Sequence, residues 1–344
     1  MATALVTGGS GFVGGHIVWQ LLAAGHSVRA TVRSEAKAAS LRASLVAVGV
    51  PHLDRLDIFF ADLARDDGWA EACVGCDFVL HVASPLAATK VEADVVGPAV
   101  DGSLRVLRAA RDAGVKRVIV TSSCGAIYYG HPLQNAPFDE TSYTRVDGGE
   151  MSAYVKSKAL ADQAVWSFMD QVGGEMELVS IYPTGIFGPA MGHDYASSLD
   201  LIRRLLTGAM PACPDLWFGC VDVRDVASLH LLAMTAPVAA GQRFIASSGP
   251  AVSMLDIAQV LRERLGSRAN RVPTRKLPDL MVRIMSLFND DLAALVPLLG
   301  KARSATSAKA KQLLGWKPRS WQDAVVAAAE SLLDLEATEH LRKK

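Results

Sequence analysis

Two side chains within one predicted helix, residues 152–172, suit proton transfer. Tyr154 and Lys158 are four residues apart, so they lie on the same helix face. A phenol with an ordinary pKa of about 10 is a poor acid or base at neutral pH unless a nearby cation favours the phenolate. Ser123 follows a predicted strand and adds a hydroxyl that can hold the same oxygen atom. Together the three residues predict acid–base chemistry at an alcohol or carbonyl oxygen.

A glycine-rich turn lies between the first predicted strand and the first predicted helix. A tight turn needs residues without a Cβ, so that backbone N–H groups and the helix N-terminus can approach a phosphate. Gly8, Gly11 and Gly14 have the spacing G-x-x-G-x-x-G, which alone is a weak signal and also fits a structural turn. The position between strand and helix favours a dinucleotide pyrophosphate. The predicted contacts are Thr7, Gly8, Ser10, Gly11, Phe12, Val13 and Gly14.

The end of the second predicted strand indicates which dinucleotide binds. NAD-selective sites usually place a carboxylate there, whereas this chain has Arg33. A guanidinium pairs with a 2′-phosphate through two parallel hydrogen bonds. Arg33 therefore favours NADP(H), with Ser34 and Lys37 as helpers, and a solvated strand-end charge is the alternative. After the third strand, Asp62, followed by Leu63, can accept from the adenine amino group, although an ordinary loop aspartate fits almost as well.

Strand and helix patterns alternate over the N-terminal half of the chain. This alternation predicts an α/β fold, a Rossmann-type doubly wound parallel sheet covered on both faces. The predicted strands are residues 3–7, 27–32, 56–61, 78–82, 117–121, 177–181 and 242–246. The predicted helices are residues 12–24, 36–48, 98–113 and 152–172.

Shorter elements separated by Pro and Gly follow Pro183, which predicts a smaller C-terminal substrate lobe. The NADP-binding Rossmann domain is predicted to span residues 1–182, with a returning segment at about 218–248. The lobe then takes residues 183–217 and 249–335, and a charged tail, residues 336–344, frays. The oligomeric state stays open, because an amphipathic surface helix and a dimer helix look alike in sequence.

Charge and cysteine usage exclude several classes of protein. Lysine plus arginine number 35, and aspartate plus glutamate also number 35, so no global field favours nucleic acid or an anionic membrane. The first residues show no basic leader or long apolar run, and the five cysteines form no dense framework, so we expect a cytoplasmic protein. Cys73 and Cys76 form a single C-x-x-C pair, and the histidines lack ligand spacing, so free thiols and no metal site are predicted. The expected partner is a small organic molecule.

Read in order, these motifs resemble the extended short-chain dehydrogenases/reductases, specifically the dihydroflavonol-reductase-like group of NADPH-dependent ketone and aldehyde reductases. The likeness covers most of the chain. Its parts are the glycine turn at 7–14, Thr31-Val32-Arg33, Ala61-Asp62-Leu63, His81-Val82-Ala83-Ser84-Pro85, Thr121-Ser122-Ser123, Tyr154 with Lys158, Pro183-Thr184-Gly185-Ile186-Phe187-Gly188-Pro189 and Val221-Asp222-Val223-Arg224-Asp225-Val226-Ala227. The late run Leu313-Leu314-Gly315-Trp316-Lys317-Pro318 resembles the C-terminal lobe of the same group.

The resemblance implies roles that spacing alone does not assign. Ser123, Tyr154 and Lys158 would form the catalytic triad, and Arg33 would select the 2′-phosphate. Further cofactor contacts implied in this way are Val82, Ala83, Ser84, Pro183, Thr184, Gly185 and Ile186. The run at 124–129 departs from the plant flavonoid enzymes. Flavonoid specificity is therefore not implied.

We therefore predict an NADPH-dependent reductase that reversibly converts a hydrophobic or aromatic ketone or aldehyde to an alcohol. Ser123 and Tyr154 would donate to the carbonyl oxygen, Tyr154 would give up its proton as hydride arrives, and Lys158 would stabilise the phenolate. Candidate walls of the substrate pocket are mostly apolar side chains. They are Pro85, Leu86, Cys124, Tyr128, Phe187, Met191, Tyr195 and Trp217.

Three other functions stay open. A steroid-type hydroxy dehydrogenase working in the oxidative direction is poorly excluded, since direction depends on the cellular cofactor ratio. A nucleotide-sugar epimerase or dehydratase shares the tyrosine and lysine but commonly has an acid where this chain has Arg33. A non-catalytic NADP(H) sensor belongs to another class, and such sensors typically lose the tyrosine or the lysine, both of which are present here.

Overall fold

The protein is described by a computed structural model that covers residues 1–85, 93–149, 151–192 and 197–342. The strands in these ranges are Thr3–Thr7 (β1), Ser27–Val32 (β2), Leu56–Phe60 (β3), Phe78–His81 (β4), Arg117–Thr121 (β5), Glu177–Pro183 (β6), Gly185–Phe187 (β7), Trp217–Phe218 (β8), Cys220–Asp222 (β9), Gln242–Ala246 (β10) and Val252–Ser253 (β11). The α-helices are Phe12–Ala23 (α1), Glu35–Ala47 (α2), Trp69–Cys73 (α3), Ala93–Asp112 (α4), Ala153–Val172 (α5), Ser197–Thr207 (α6), Val223–Thr235 (α7), Met254–Leu265 (α8), Asp279–Ser286 (α9), Asp290–Ala293 (α10), Ala308–Leu314 (α11) and Trp321–Arg342 (α12).

The main sheet is parallel throughout, with the strand order β10-β6-β5-β4-β1-β2-β3 in the described part of the chain. The chain moves outward from β1 to β3 and then crosses back to β4 on the other side of β1. At such a reversal the loops after the two central strands separate, which opens a crevice beyond their carboxyl ends. This order confirms the predicted doubly wound Rossmann-type fold.

Two apolar layers cover the faces of the sheet. Ala4 and Val6 pack with α1, α2 and α7 on one face, while Leu5 packs with α3, α4 and α5 on the other. Successive side chains of a strand point to opposite faces, so a fully buried sheet needs a continuous apolar run. The run Ala4-Leu5-Val6, with each residue 0% exposed, supplies one.

A third apolar cluster forms the core of the C-terminal elements. It joins α6, α8 and α12 through residues such as Ile202, Ile257 and Val325, and Phe12 at the start of α1 packs against it. The N-terminal end of α1 therefore touches both the sheet and this lobe. Strand β10 pairs with β6 in the main sheet, whereas the division of the chain at about residues 182 and 248 stays a prediction.

Several element boundaries differ from the predictions. Strand β6 runs two residues further, because Tyr182 and Pro183 pair with Ile245 and Ala246 of β10. Helix α4 begins before Pro98, which stands inside it rather than at its start; its missing N–H removes one helical hydrogen bond. Strands β3 and β4 each end one residue earlier than predicted.

Candidate active site

The glycine turn brings β1, α1 and the loop after β4 into close contact. Gly8 has a φ of 66°, and a Cβ there would lie 3.0 Å from Ala83 Cα. A Cβ on Gly14 would lie only 2.3 Å from the Gly8 carbonyl oxygen. Ordinary side chains therefore do not fit at these two positions. Backbone rather than side chains forms the surface at this point.

The N-terminus of α1 is left open by its own sequence. Gly11 is the N-cap, and none of the described residues caps it with a side chain or places an acid in the first turn. In contrast, Ser34 caps α2 and Ser152 caps α5. The first N–H groups of a helix need an outside partner, and the helix dipole favours an anion there. Ser10, Phe12 and Val13 lie at this end of the helix, and the pyrophosphate contacts predicted for them stay predictions.

Thr7 has a different role from the one its motif suggested. Its side chain is buried, and its hydroxyl accepts hydrogen bonds from the backbone N–H groups of Val82 and Ala83, each at 3.0 Å. Because both lone pairs are used, the hydroxyl donates to His81 Nδ1 at 2.8 Å. The Thr7 side chain thus positions Val82 and Ala83, and the cofactor contact predicted for Thr7 stays a prediction.

His81 is a packed residue, in agreement with its apolar strand. Burial, aided by the positive charge of Lys158, lowers the pKa of His81 to about 3. The ring is therefore neutral at physiological pH. Its Nε2 faces the hydroxyl of Ser103 at 3.4 Å. The imidazole joins β4 to α4 and cannot supply a charge to the site.

The residues after β2 present a cation to the crevice edge. Arg33 is exposed, and no described side chain or carbonyl pairs with its guanidinium. Ser34 accepts a hydrogen bond from the Lys37 backbone N–H at 3.4 Å, so its hydroxyl caps α2. Arg33 is thus available to an anionic ligand, and Ser34 already has a structural partner.

The loop after β3 is braced by helix α4. Asp62 Oδ1 accepts from the Ala64 N–H at 2.9 Å, which is an Asx turn. Leu63 lies so close to Gly102 that a Cβ on the glycine would be 2.8 Å from the leucine side chain. The second carboxylate oxygen of Asp62 has no partner among the described residues. The adenine contact predicted for this loop stays a prediction.

The three predicted catalytic residues come from two neighbouring elements. Tyr154 lies in the first turn of α5 and is 44% exposed, and Lys158 Nζ is 6.0 Å from the centroid of its ring. Ser123 precedes a short 3-10 turn, Cys124–Ala126, that packs against α5. The Ser123 hydroxyl oxygen accepts from the Gly125 N–H at 3.0 Å, so its hydrogen remains free to donate to a ligand.

Gly125 joins these two elements. A Cβ on Gly125 would lie 3.2 Å from Ser123 Oγ and 3.8 Å from Lys158 Cβ. Gly125 thus lies between the Ser123 hydroxyl and the helix face that carries Lys158, and it is in ordinary contact distance of that face. Ser123 and Lys158 are 35 residues apart in sequence. The fold nevertheless brings Ser123 close to the backbone that carries Lys158.

A polar cleft lies beside Lys158, lined by His81, Ser84, Ser122 and Asp162. Asp162 is one helical turn beyond Lys158, and its Oδ2 accepts from the Tyr182 hydroxyl at 3.0 Å. Burial raises the pKa of Asp162, and Arg243 opposes that shift. Sequence reasoning did not single out Asp162, although its four-residue spacing from Lys158 was a usable signal.

The segment after β6 leaves the sheet toward the lobe. Pro183 ends β6, and the Thr184 N–H and hydroxyl both donate to the Ala246 carbonyl, at 3.0 and 3.3 Å. Gly185 and Ile186 belong to β7, which pairs with β9. The Thr184 hydroxyl is thus structural. Backbone contacts of this segment with a cofactor stay a prediction.

Two predicted substrate residues are core residues instead. Cys124 and Phe187 are each 1% exposed, and Cys124 Sγ donates to the Tyr182 carbonyl at 3.2 Å. Met191 packs 3.8 Å from the Cβ position of Gly15, beside the glycine turn. Cys124 and Phe187 are therefore core residues, whereas Met191 is half-buried and its predicted pocket role stays a prediction.

The remaining substrate candidates differ in position. Tyr128 is half-buried, with its ring 5.2 Å from that of Tyr129. Pro85 is half-buried after β4, and Trp217 is exposed and donates to Asp215 Oδ1 at 3.0 Å. Leu86 and Tyr195 lie outside the described residues. Burial raises the pKa of the Tyr128 phenol, and Tyr154 adds to this shift, so Tyr128 is within electrostatic range of Tyr154.

The cysteine prediction is confirmed, since each of the five cysteines, all within the described ranges, is a free buried thiol. Burial raises the pKa of Cys73 to about 12, so this thiol is unreactive at neutral pH. In the described ranges, no group of three His, Cys, Asp or Glu side chains could hold a metal ion. Among the same residues, no helix has both the length and the apolar character needed to cross a bilayer.

Comparisons with known proteins extend over most of the chain. Residues 4–246 match the family described as NAD dependent epimerase/dehydratase family. The chain is 35% identical to a dihydroflavonol 4-reductase of Zea mays over 273 residues, 76% of this chain and 74% of that protein. It is 34% identical to ketoreductase azaE of Aspergillus niger, covering 80% of this chain and 86% of that protein. The structure of yeast methylglyoxal/isovaleraldehyde reductase complexed with NADPH covers 97% of this chain and 99% of its own, with 26% identity and a TM-score of 0.78.

Proposed function

Because the chain belongs to the NAD-dependent epimerase/dehydratase family and is an NAD(P)-dependent reductase of the extended short-chain kind, we propose that it reduces a ketone or aldehyde to an alcohol with NADPH. One observation carries the proposal. The close approach at Gly125 brings the Ser123 hydroxyl to the helix face of Tyr154 and Lys158. Two hydroxyl donors and one cation can then act on a single substrate oxygen.

The residues present fit NADP(H). The uncapped N-terminus of α1 and the narrow turn at Gly8 and Gly14 suit a pyrophosphate that contacts backbone N–H groups. Arg33, exposed and without a partner in the described residues, would bind the 2′-phosphate. Val82 and Ala83, held by Thr7, would line the ribose side. When bound, the reduced nicotinamide supplies the hydride.

The chain's own residues handle the charge that develops on the substrate oxygen. Ser123 and Tyr154 donate hydrogen bonds to the carbonyl oxygen, and these strengthen as it becomes an alkoxide. Tyr154 transfers its phenolic proton to that oxygen, which completes the alcohol. Lys158, one helical turn away, stabilises the phenolate that is left. Solvent returns the proton to Tyr154, whose ring is 44% exposed.

The proposed substrate is hydrophobic or aromatic next to its carbonyl. The half-buried ring of Tyr128 supports this choice, because it packs against the rings of Tyr129 and Phe138 and follows the 3-10 turn that packs against α5. Stacked or edge-on contacts with such rings favour a flat apolar body. Two of the relatives named above are called a dihydroflavonol reductase and a ketoreductase, and these names agree with the proposed class of reaction.

The test is NADPH oxidation with aromatic and aliphatic ketones and aldehydes, with NADH in parallel and UDP-glucose as a nucleotide-sugar comparison. We expect NADPH-dependent turnover of at least one aromatic carbonyl and none of UDP-glucose. Conversion of UDP-glucose without net NADPH loss would contradict the proposal and favour an epimerase. Tight NADPH binding with no turnover of any carbonyl would favour a sensor.

A further inference from the structure

A partly buried cation lies beside the aromatic residues near the proposed reaction centre. The guanidinium of Arg303 stacks over the Tyr129 ring, with Cζ 5.0 Å from the ring centroid. Arg303 belongs to the segment before α11, far along the chain from Tyr129. Nothing in the proposed function uses this positive charge.

The backbone around Arg303 is fixed to the same aromatic cluster. The Phe138 N–H donates to the Ser304 carbonyl, and the Thr306 N–H donates to the Phe138 carbonyl, both at 2.9 Å. The Phe138 ring lies 6.0 Å from that of Tyr128. These two hydrogen bonds fix the backbone that follows Arg303 against Phe138. The position of Arg303 relative to Tyr128 and Tyr129 is therefore set by the backbone as well as by its own side chain.

None of the described residues forms an ion pair with the Arg303 guanidinium, and its Nε is buried without a hydrogen-bond partner among them. Arg117, in contrast, is buried but forms an ion pair with Glu177 and donates to the Ala233 carbonyl. An unpaired cation that is partly withdrawn from water is costly. The Arg303 guanidinium therefore has donors available for a partner from outside the chain.

Arg303 and Tyr154 both affect the pKa of the same two phenols, those of Tyr128 and Tyr129. Burial raises the pKa of Tyr128 and of Tyr129; Tyr154 adds to both shifts and Arg303 opposes both. Tyr154 and Arg303 are therefore both within electrostatic range of these two phenols, and Tyr128 closely follows the 3-10 turn Cys124–Ala126 that packs against α5. A substrate that places its carbonyl at Tyr154 can extend along these rings toward Arg303.

We propose that Arg303 binds a carboxylate of the carbonyl substrate, so that the enzyme prefers an aromatic oxo acid to the corresponding ester. The inference rests on the proposed function and deepens it. A planar guanidinium matches a carboxylate through two parallel hydrogen bonds. One cation among three aromatic rings suits one carboxylate on an apolar body. A diphosphate would need several cationic partners.

The experiment compares two oxo acids with their methyl esters, phenylglyoxylate and 4-acetylbenzoate, which differ in the distance from carbonyl to carboxylate. With the full-length enzyme and NADPH, we expect kcat/KM for at least one acid to exceed that for its ester. Arg303→Met should lower kcat/KM for that acid by about 30-fold, mainly through KM, and change the ester by less than about threefold. Arg303→Lys should retain part of the acid preference, because it keeps the charge but loses the planar fork.

Lys301→Met is the matched control, because it removes an exposed cation from the same segment. We expect it to leave both substrates unchanged. Preference for the ester in both pairs, an acid preference that survives Arg303→Met, or an equal loss for acid and ester would overturn the role of Arg303 while leaving the reductase proposal intact. No NADPH-dependent turnover of any of the four compounds would overturn this inference, whereas the reductase proposal is overturned only if the whole panel of ketones and aldehydes fails.

Discussion

At the scale of single residues, Tyr154 is the group whose loss has the largest expected effect on turnover. Tyr154→Phe removes the proton donor and one of two hydrogen bonds to the developing alkoxide. We expect kcat to fall by about 10²–10⁴-fold, with NADPH affinity unchanged, because the ring and Lys158 remain. Single-turnover NADPH oxidation, together with NADPH fluorescence titration, measures the two quantities. A variant that keeps more than about a tenth of the wild-type rate would remove Tyr154 from this role.

Arg33 governs cofactor choice at the same scale. Arg33→Gln keeps a polar side chain of similar reach but loses the charge. We expect kcat/KM for NADPH to fall by about 10–100-fold, the worth of charged hydrogen bonds. The value for NADH should stay within about threefold, because NADH has no 2′-phosphate. The ratio of the two constants is the measurement, and an equal loss with both cofactors would contradict selection by Arg33.

At the scale of elements, the β1–α1 turn depends on one glycine and tolerates a change at its neighbour. In Gly14→Ala the new Cβ would lie 2.3 Å from the Gly8 carbonyl oxygen, so the turn must shift. We expect a loss of about 2 kcal/mol in unfolding free energy, and weaker NADPH binding because the helix N-terminus moves. Urea unfolding and NADPH titration measure both effects.

Gly15→Ala is the matched control in the same helix. Its Cβ would have its nearest neighbours at 3.7–3.8 Å, which is ordinary contact. Alanine is the better helix former, so we expect stability to be unchanged or raised by up to about 1 kcal/mol. Equal destabilisation by the two substitutions would contradict the geometric explanation.

At the scale of the whole molecule, buried neutral histidines couple the fold to pH. Burial lowers the pKa of His81 to about 3, and that of His16 and His230 to about 4. Between these values and the unfolded value near 6.5, the unfolded chain binds more protons than the folded one. Stability is therefore fully present above about pH 6.5 and is lost as the pH falls, by about 2 kcal/mol per histidine between pH 7 and pH 5.

His230→Gln isolates one of these contributions. In the native protein, the His230 Nδ1–H donates to the Val226 carbonyl at 2.8 Å, and the Thr121 hydroxyl donates to Nε2 at 2.7 Å. Burial raises the pKa of Asp162, so this carboxyl adds stability as the pH falls, opposite to the histidines. The difference between the wild-type and variant pH curves removes this shared contribution and is therefore the quantity to compare. From pH 7 to pH 5 the wild type should lose about 2 kcal/mol more than the variant in urea unfolding. Parallel pH curves would contradict the assignment.

Most of the fold follows from patterns that lie within a few residues of one another. The bounds of β1, β2, β5 and β10 were predicted to the residue, because each is a short apolar run flanked by turn residues. The end of β6 was wrong, since its last two residues become a strand only by pairing with β10. The start of α4 was predicted at Pro98, because proline is best tolerated in the first turn of a helix. In the structure Pro98 lies inside α4, so packing holds a helix that local propensity would begin later.

The sequence by itself determined the elements, the uncapped glycine turn and the helical spacing of Tyr154 and Lys158, because periodicity, capping and close approach are local properties of the chain. Only the tertiary structure decided which side chains are buried and which meet. It placed Cys124 and Phe187 in the core, committed the Thr7 hydroxyl to the backbone after β4, and brought Arg303 onto Tyr129 with no counter-ion among the described residues. Such contacts depend on the packing of segments far apart in sequence, and no spacing along the chain encodes them.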